Sequence, residues 1–441
     1  MDRRLQKHDT IATHAHEERA LRWHEACRGK LEMFPKCPVR GNEDFAVWYT
    51  PGVAEPCRQI AKDPDAVWNY TNRGNTVAVL SDGSRVLGLG DIGPLAGLPV
   101  MEGKGLIFKM YGGVDAFPLC VNAHDTEAMV ALACTIAPSF GGINLEDIAS
   151  PRCFDILDRL REELDIFVWH DDRQGTATVI LAGLLNALAL TGRRLEESRI
   201  VLVGAGAANL AVAELLQFAG IDLGHVIFVD KTGILEAEQV PWHPVRDRLV
   251  AISNGDRRHG GLCEAMQGAD VVIALSAPGP GIITSEMVAS MAPDPIVFAC
   301  ANPVPEIWPQ DAYNAGAAVV ATGRGDFANQ VNNALIFPGV FRGALDVQAR
   351  TITQGMCWAA ARALAQLAQE NLRADAILPP LTHPFVAPTV ALAVAQSAIA
   401  ENVARRFVEP MEIFANTQKI CSRNQQRMQK MLEENWVPVF D

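Results

Sequence analysis

Arg199-Ile200-Val201-Leu202-Val203-Gly204-Ala205-Gly206-Ala207-Ala208-Asn209 reads as an apolar strand, Arg199 to Val203, a glycine turn, and the start of a helix that continues to Phe218. Gly204 permits the tight turn and Gly206 lets a pyrophosphate approach the backbone. The helix end beyond them offers free N–H groups and a favourable dipole. A second strand, His225 to Val229, stops at Asp230, whose carboxylate can accept from an adenine-ribose hydroxyl. This order makes Gly204, Ala205, Gly206, Ala207, Ala208 and Asp230 the candidate dinucleotide residues. Asp230 favours NAD, whereas Lys231 beside it could meet the 2′-phosphate of NADP, and the sequence leaves the choice open. Asn209 stands where a small residue lets helix and strand close up, so a slightly wider packing is expected there.

Outward from that turn the same alternation continues. A helix from Thr176 to Leu190 precedes it, and strands are expected at Val271 to Leu275, Ile296 to Ala299 and Ala317 to Ala321. Apolar strands separated by helices mark a parallel sheet covered on both faces. Nearer the N-terminus, strands are expected at Val77 to Leu80 and Val86 to Leu89, around the turn Ser81 to Ser84, and at Leu106 to Phe108 and Ala116 to Val121. Helical periodicity covers Thr126 to Ile136 and Cys153 to Leu164, and a last helical block, Thr389 to Arg406, starts after Pro388. The fold class is therefore α/β: an N-terminal α/β substrate domain (1–173), a Rossmann-type doubly wound parallel sheet (174–406), and a C-terminal helical tail (407–441).

A chain of 441 residues is long enough for two cores. Its formal charge of -13 argues against a nucleic-acid partner. Ten scattered cysteines without a CxxC pair fit free thiols in a reducing compartment. The polar N-terminus has no apolar core of a secretory signal, and no run suits a membrane span, so a cytoplasmic location is expected. His14, His16 and His24 fall at near-helical spacing, where a solvated face outweighs a metal role.

Two acidic pairs carry the chemistry: Glu146-Asp147 in SFGGINLEDI and Asp171-Asp172 in FVWHDDRQGTA. Each lies among glycines and apolar residues, not in a charge run. Carboxylates gathered beside apolar surface repel one another unless a cation neutralises them. Oxygen donors of this kind suit Mg²⁺ or Mn²⁺. A hard metal next to a nicotinamide points to oxidation of a chelating hydroxy acid.

The runs YTPGVAEPC (Tyr49 to Cys57), SDGSRVLGLGDIGP (Ser81 to Pro94), LPVMEGK (Leu98 to Lys104), GGVDAFP (Gly112 to Pro118), FGGINLEDI (Phe140 to Ile148), HDDRQGTA (His170 to Ala177), ANPVPEI (Ala301 to Ile307) and QVNNALIFPGVFRGALD (Gln330 to Asp346) occur in one order. In these the chain resembles malic enzymes of the short prokaryotic type. The resemblance implies metal-dependent oxidative decarboxylation of malate to pyruvate and carbon dioxide with NAD or NADP. It places the metal ligands at Glu146, Asp147 and Asp172, with Asp171 behind them orienting ligands or moving protons. Lys104 matches the family's general base, which requires a pKa lowered by burial or a nearby cation. Tyr49 matches the general acid that protonates the enol.

Arg85 matches the family's malate-carboxylate position, although short members vary there. Asn302, Asn332 and Asn333 match residues that hydrogen-bond substrate or nicotinamide ribose. Arg173 departs from the usual glutamine and is expected to pair with Asp171 or contact a phosphate. Rival reactions on the same residues are malolactic conversion to lactate with bound NAD, and oxaloacetate decarboxylation without net redox. The expected partners are malate, oxaloacetate and pyruvate, and a second copy of the chain in a homodimer or larger assembly.

Overall fold

The structure, a computed structural model, describes residues 17–86, 88–236 and 241–440. His14 and His16 lie outside the described residues, and His24 is exposed on the helix 17–27, its ring bonded only to the Ala20 carbonyl.

Two parallel sheets organise the chain. The first contains β1 (Thr76–Ser81), β2 (Asp115–Cys120), β3 (Gly142–Leu145) and β4 (Phe167–His170), in the order β2-β1-β3-β4. Every residue of β1 and β3 is buried, as a sheet covered on both sides requires. The order reverses direction between β1 and β3, so the loops leaving their carboxyl ends diverge and leave a crevice.

The second sheet contains β5 (Ile200–Val203), β6 (Val226–Asp230), β7 (Gly233–Ile234), β8 (Val271–Ala274), β9 (Ile296–Ala299) and β10 (Val319–Thr322). Its order is β10-β9-β8-β5-β6-β7, all parallel except the short β7. Its switch point falls between β5 and β8, where the glycine turn sits. Helices Thr176–Leu190 and Ala207–Phe218 match the expected bounds, and the first is apolar all round because it is buried.

Three expectations fail. Leu106 to Phe108 is not a strand: it completes the helix Gly93–Ile107 and enters a π-helical turn, Phe108–Gly112. Packing overrides local propensity here. A Cβ on Gly105 would lie 3.2 Å from the Ala116 carbonyl oxygen, so glycine lets the helix rest on β2. Among the described residues of Val86 to Leu89 there is no strand, just a bridge from Val86 to Gly90. The last block begins at Val386, with Pro388 tolerated in its first turn, and ends at Ala400, short of Arg406. A 24-residue helix, Pro410–Glu433, follows it.

All ten cysteines are free. Among the described residues, no helix is long and apolar enough to cross a membrane.

Candidate active site

The carboxyl ends of β1, β3 and β4 deliver the acidic groups to one crevice. Glu146 and Asp147 follow β3, while Asp171 and Asp172 follow β4 in a π-helical turn, Asp171–Gly175. One oxygen from each of Glu146, Asp147 and Asp172 lies within 4.8 Å of the others. Asp147 adopts a left-handed backbone, φ 54°, a conformation aspartate tolerates better than most residues. This places its N–H 2.8 Å from Asp172 Oδ2, which accepts from it, while its carbonyl accepts from the Arg85 N–H at 3.0 Å.

Burial and the surrounding negative charge fix the electrostatics. Glu146 is pushed well above the usual carboxylate range, first by burial and then by Asp172, Asp171 and Asp147, against the pull of Lys104. Burial also raises Asp172, opposed by the charges of Lys104 and Arg85. Three hard oxygen donors that resist ionising together suit a divalent cation, which would replace mutual repulsion with attraction. Asn144, two residues before Glu146 on the same face of β3, donates to Glu146 Oε2 at 2.9 Å. His170 is fully buried with neither ring nitrogen hydrogen-bonded, and burial drives its pKa down to about 3, so the ring is neutral.

Lys104 projects from the helix Gly93–Ile107 into this cluster, 3.0 Å from Glu146 Oε1 and bonded to Asp171 Oδ2. Its ammonium lies 4.7 Å from the centre of the Phe337 ring. Burial lowers its pKa as expected, but the charges of Asp171, Glu146 and Asp172 outweigh burial and hold it above the ordinary value. The lowered pKa expected of a base rests in part on a nearby cation, whose charge opposes that of these carboxylates.

Asp171 is itself held in place. Trp169 Nε1 donates to its Oδ1 at 3.0 Å, and any Cβ on Gly175 would collide with its carboxylate. Asn333 packs against Gly175 from the other side, 3.3 Å from where that Cβ would stand. Sequence reasoning missed Asn144, Trp169, Gly175 and Phe337. Period-two spacing from Glu146 and Asp171 along their strands pointed to the first two.

Other candidates lie farther out. Arg85 is exposed, yet close enough for its charge to lower Asp172. Its loop is clipped by Asp82, which accepts from Ser84 N at 3.0 Å and from Arg152. Asn332 accepts from Ala334 N at 2.9 Å and starts the turn that carries Asn333. Asn302 is exposed, and its carbonyl packs so tightly on Gly88 that no side chain would fit there. Tyr49 is 70% exposed at the end of the helix Asn42–Trp48, away from the carboxylates. Arg173 does not pair with Asp171: it bonds Glu214 at 3.3 Å and lies over the Phe154 ring.

At the second switch point Gly204 takes φ 92°, and a Cβ there would stand 2.9 Å from the Leu275 carbonyl. Asn209, which stands where a small residue is expected, is buried. Its buried amide donates to the carbonyls of Val203 at 2.8 Å and Gly204 at 2.7 Å, pinning the turn from within. Ala205, Gly206, Ala207 and Ala208 carry the turn into the helix, with Gly206 as its cap. Asp230 accepts from Thr232 N at 2.8 Å and stands 3.6 Å from Arg246. Glu306, fully buried, accepts from Ser276 N and Ala301 N and ties the loops after β8 and β9 together.

Comparison with known proteins agrees with this geometry. The family model for the malic enzyme N-terminal domain matches residues 28–161, and that for the malic enzyme NAD binding domain matches 173–399. A bifunctional malic/malolactic enzyme of Bacillus subtilis is 48% identical over 91% of this chain and 98% of its own. An NADP-dependent malic enzyme of Halomonas elongata is 43% identical over 89% and 96%. The crystal structure of a malic enzyme from Pyrococcus horikoshii superposes with a TM-score of 0.91 at 48% identity, covering 95% of this chain and 98% of that one. That of Entamoeba histolytica malic enzyme gives 0.94 at 41% identity, covering 98% and 91%. With both domains matched and the acidic crevice lying where they meet, the chain belongs to the malic enzyme family.

Proposed function

We propose that this crevice performs the NAD(P)-dependent oxidative decarboxylation of malate around a divalent cation, Mg²⁺ or Mn²⁺, held by Glu146, Asp147 and Asp172. The observation that carries the reading is the meeting of those three carboxylates beside Lys104. When bound, the ion supplies Lewis acidity to the substrate's hydroxyl and, after oxidation, to its carbonyl. Arg85 binds a malate carboxylate at the mouth of the crevice. Asn332 and Asn333 orient substrate and nicotinamide ribose without adding charge, and Asn302 does so from the dinucleotide side. Lys104 and Asp171 form the dyad that takes the hydroxyl proton as hydride leaves C2, Asp171 fixing the amine. Tyr49 returns a proton to C3 after carbon dioxide departs.

Steady-state assay with malate, comparing both nicotinamides with and without Mn²⁺, is expected to give pyruvate and reduced cofactor only with metal. Asp230 favours NAD as the better cofactor. Absence of malate-dependent reduction with either nicotinamide would sink the reading. The bifunctional relative makes lactate the product to look for: lactate without net reduction marks a malolactic reaction, and cofactor-free loss of carbon dioxide from oxaloacetate marks a lyase.

The protein works as a homodimer or larger homo-oligomer. Residues 17–70 contain no buried residue in the single chain, although Phe34, Phe45, Val47, Trp48 and Tyr49 all lie there. So much uncovered apolar surface calls for a partner. Tyr49 on that surface serves the crevice of the second copy. Mixing and reassembling Tyr49→Phe with Lys104→Ala chains should then restore about a quarter of wild-type activity, because half the dimers carry one intact site. Zero recovery in verified mixed dimers would place Tyr49 in its own subunit's site.

A further inference from the structure

Behind the catalytic turn lies a second, basic cavity that the proposed reaction does not use. Successive residues of the turn face opposite ways: Asp172 meets Asp147 in the crevice, whereas Arg173 points back towards Phe154 and Glu214. The space it enters is ≈ 260 Å³ and is bounded by Arg161, Gln174, Glu214, Thr353 and Gln354, with Leu157 and Ala211 as apolar walls. Ala211 and Glu214 lie beyond the first turn of the helix Ala207–Phe218, so the cavity is separate from the glycine turn at that helix's start.

The hydrogen-bond inventory of this cavity is incomplete. Arg173 is 5% exposed, and among the described residues its Nε and Nη1 have no partner; Nη2 reaches Glu214. Arg161 has an unpartnered Nε, and its one hydrogen bond is a long one, Nη2 to the Ile352 carbonyl at 3.4 Å. Glu214, the single carboxylate in the lining, is shared with Arg248 at 2.9 Å and so cannot neutralise both cavity arginines. Buried guanidinium N–H groups without acceptors are costly, and an oxyanion between them would satisfy several at once. Gln174, Thr353 and Gln354 add neutral donors around the same space.

We propose that this cavity, clasped by Arg161 and Arg173, is a binding site for a small dianion, a phosphate or a dicarboxylate, distinct from the malate and dinucleotide sites. Its ligand bonds both guanidiniums and rests on the back of the turn whose front face presents Asp171 and Asp172.

Isothermal titration of the Mg²⁺ and NAD-saturated protein tests this, with inorganic phosphate in one arm and succinate in the other. Saturating NAD fills the dinucleotide's own phosphate subsites, and only the binding lost in cavity variants is counted. Arg161→Met should weaken that binding at least about tenfold, the loss expected for a charge-assisted hydrogen bond. Ala211→Met keeps both arginines but fills the space, and should weaken it as much. Phosphate alone identifies a phosphomonoester site, succinate alone a dicarboxylate site, and both a general dianion site. Failure of both anions to bind below about 50 mM would overturn the proposal. So would equal affinity in wild type and Ala211→Met. Should Arg161→Met not fold, Ala211→Met decides alone.

Discussion

Lys104→Ala is expected to lower kcat for malate oxidation by about 10³-fold while metal and nicotinamide binding remain measurable. The amine touches Glu146 and Asp171 and faces the Phe337 ring, so its loss removes the group that exchanges the hydroxyl proton and leaves the dinucleotide turn untouched. It also removes the cation balancing a buried acidic cluster. Leaving such charges uncompensated costs about 3 kcal/mol in the metal-free protein. Mn²⁺ should therefore raise the melting temperature of the variant more than that of wild type. Steady-state kinetics and a metal titration by calorimetry separate the two effects. A variant within about threefold of wild-type kcat would remove Lys104 from the proton path.

Asp172→Ala is expected to weaken Mn²⁺ binding by more than about 100-fold, since groups that only orient ligands already account for about 10- to 100-fold. Activity should fall with occupancy. The sign of the pH effect follows from the raised pKa of Asp172, which burial pushes up against the pull of Lys104 and Arg85. A carboxylate whose folded pKa exceeds its unfolded value costs stability when ionised. That cost disappears as pH falls through the folded pKa. In EDTA, the melting temperature of Asp172→Ala minus that of wild type should thus grow as pH rises from about 5 to about 8. Metal affinity of wild type should fall over the same interval on acidification, because protons compete at Glu146 and Asp172. An unchanged metal titration in Asp172→Ala would contradict the ligand assignment.

The two halves of the chain were unequally legible. The dinucleotide half announces itself locally: an apolar strand, a glycine turn and a helix are neighbours in sequence, and Thr176–Leu190 and Ala207–Phe218 begin and end where their periodicity says. The carboxylates proposed to hold a cation were legible as paired acids in apolar surroundings, and Glu146, Asp147 and Asp172 do converge. The helix bearing Lys104 was not. Gly97, Pro99, Gly103 and Gly105 read as turn or strand punctuation, but the helix is kept by contacts with β2 and with Leu31, which no local pattern reports. The strands Gly142–Leu145 and Phe167–His170 are only four residues each, too short to carry a period, and their burial comes from neighbours distant in sequence. The hydrogen bonds of Asn209 were not legible, because sequence shows the size of its side chain and not where its amide reaches.

The helix Pro410–Glu433 reaches back across the chain to the π-helical turn that ends the lysine helix. Asn424 donates to the Lys109 carbonyl at 2.6 Å, Cys421 Sγ reaches the Tyr111 carbonyl at 2.9 Å, and Ile420 packs so closely on Gly113 that no Cβ would fit. A helix about three hundred residues farther along the chain is therefore what seats the turn behind Lys104. A protease nick or a fusion partner crowded against residue 410 would silence catalysis from the far end of the polypeptide, with every catalytic side chain still present.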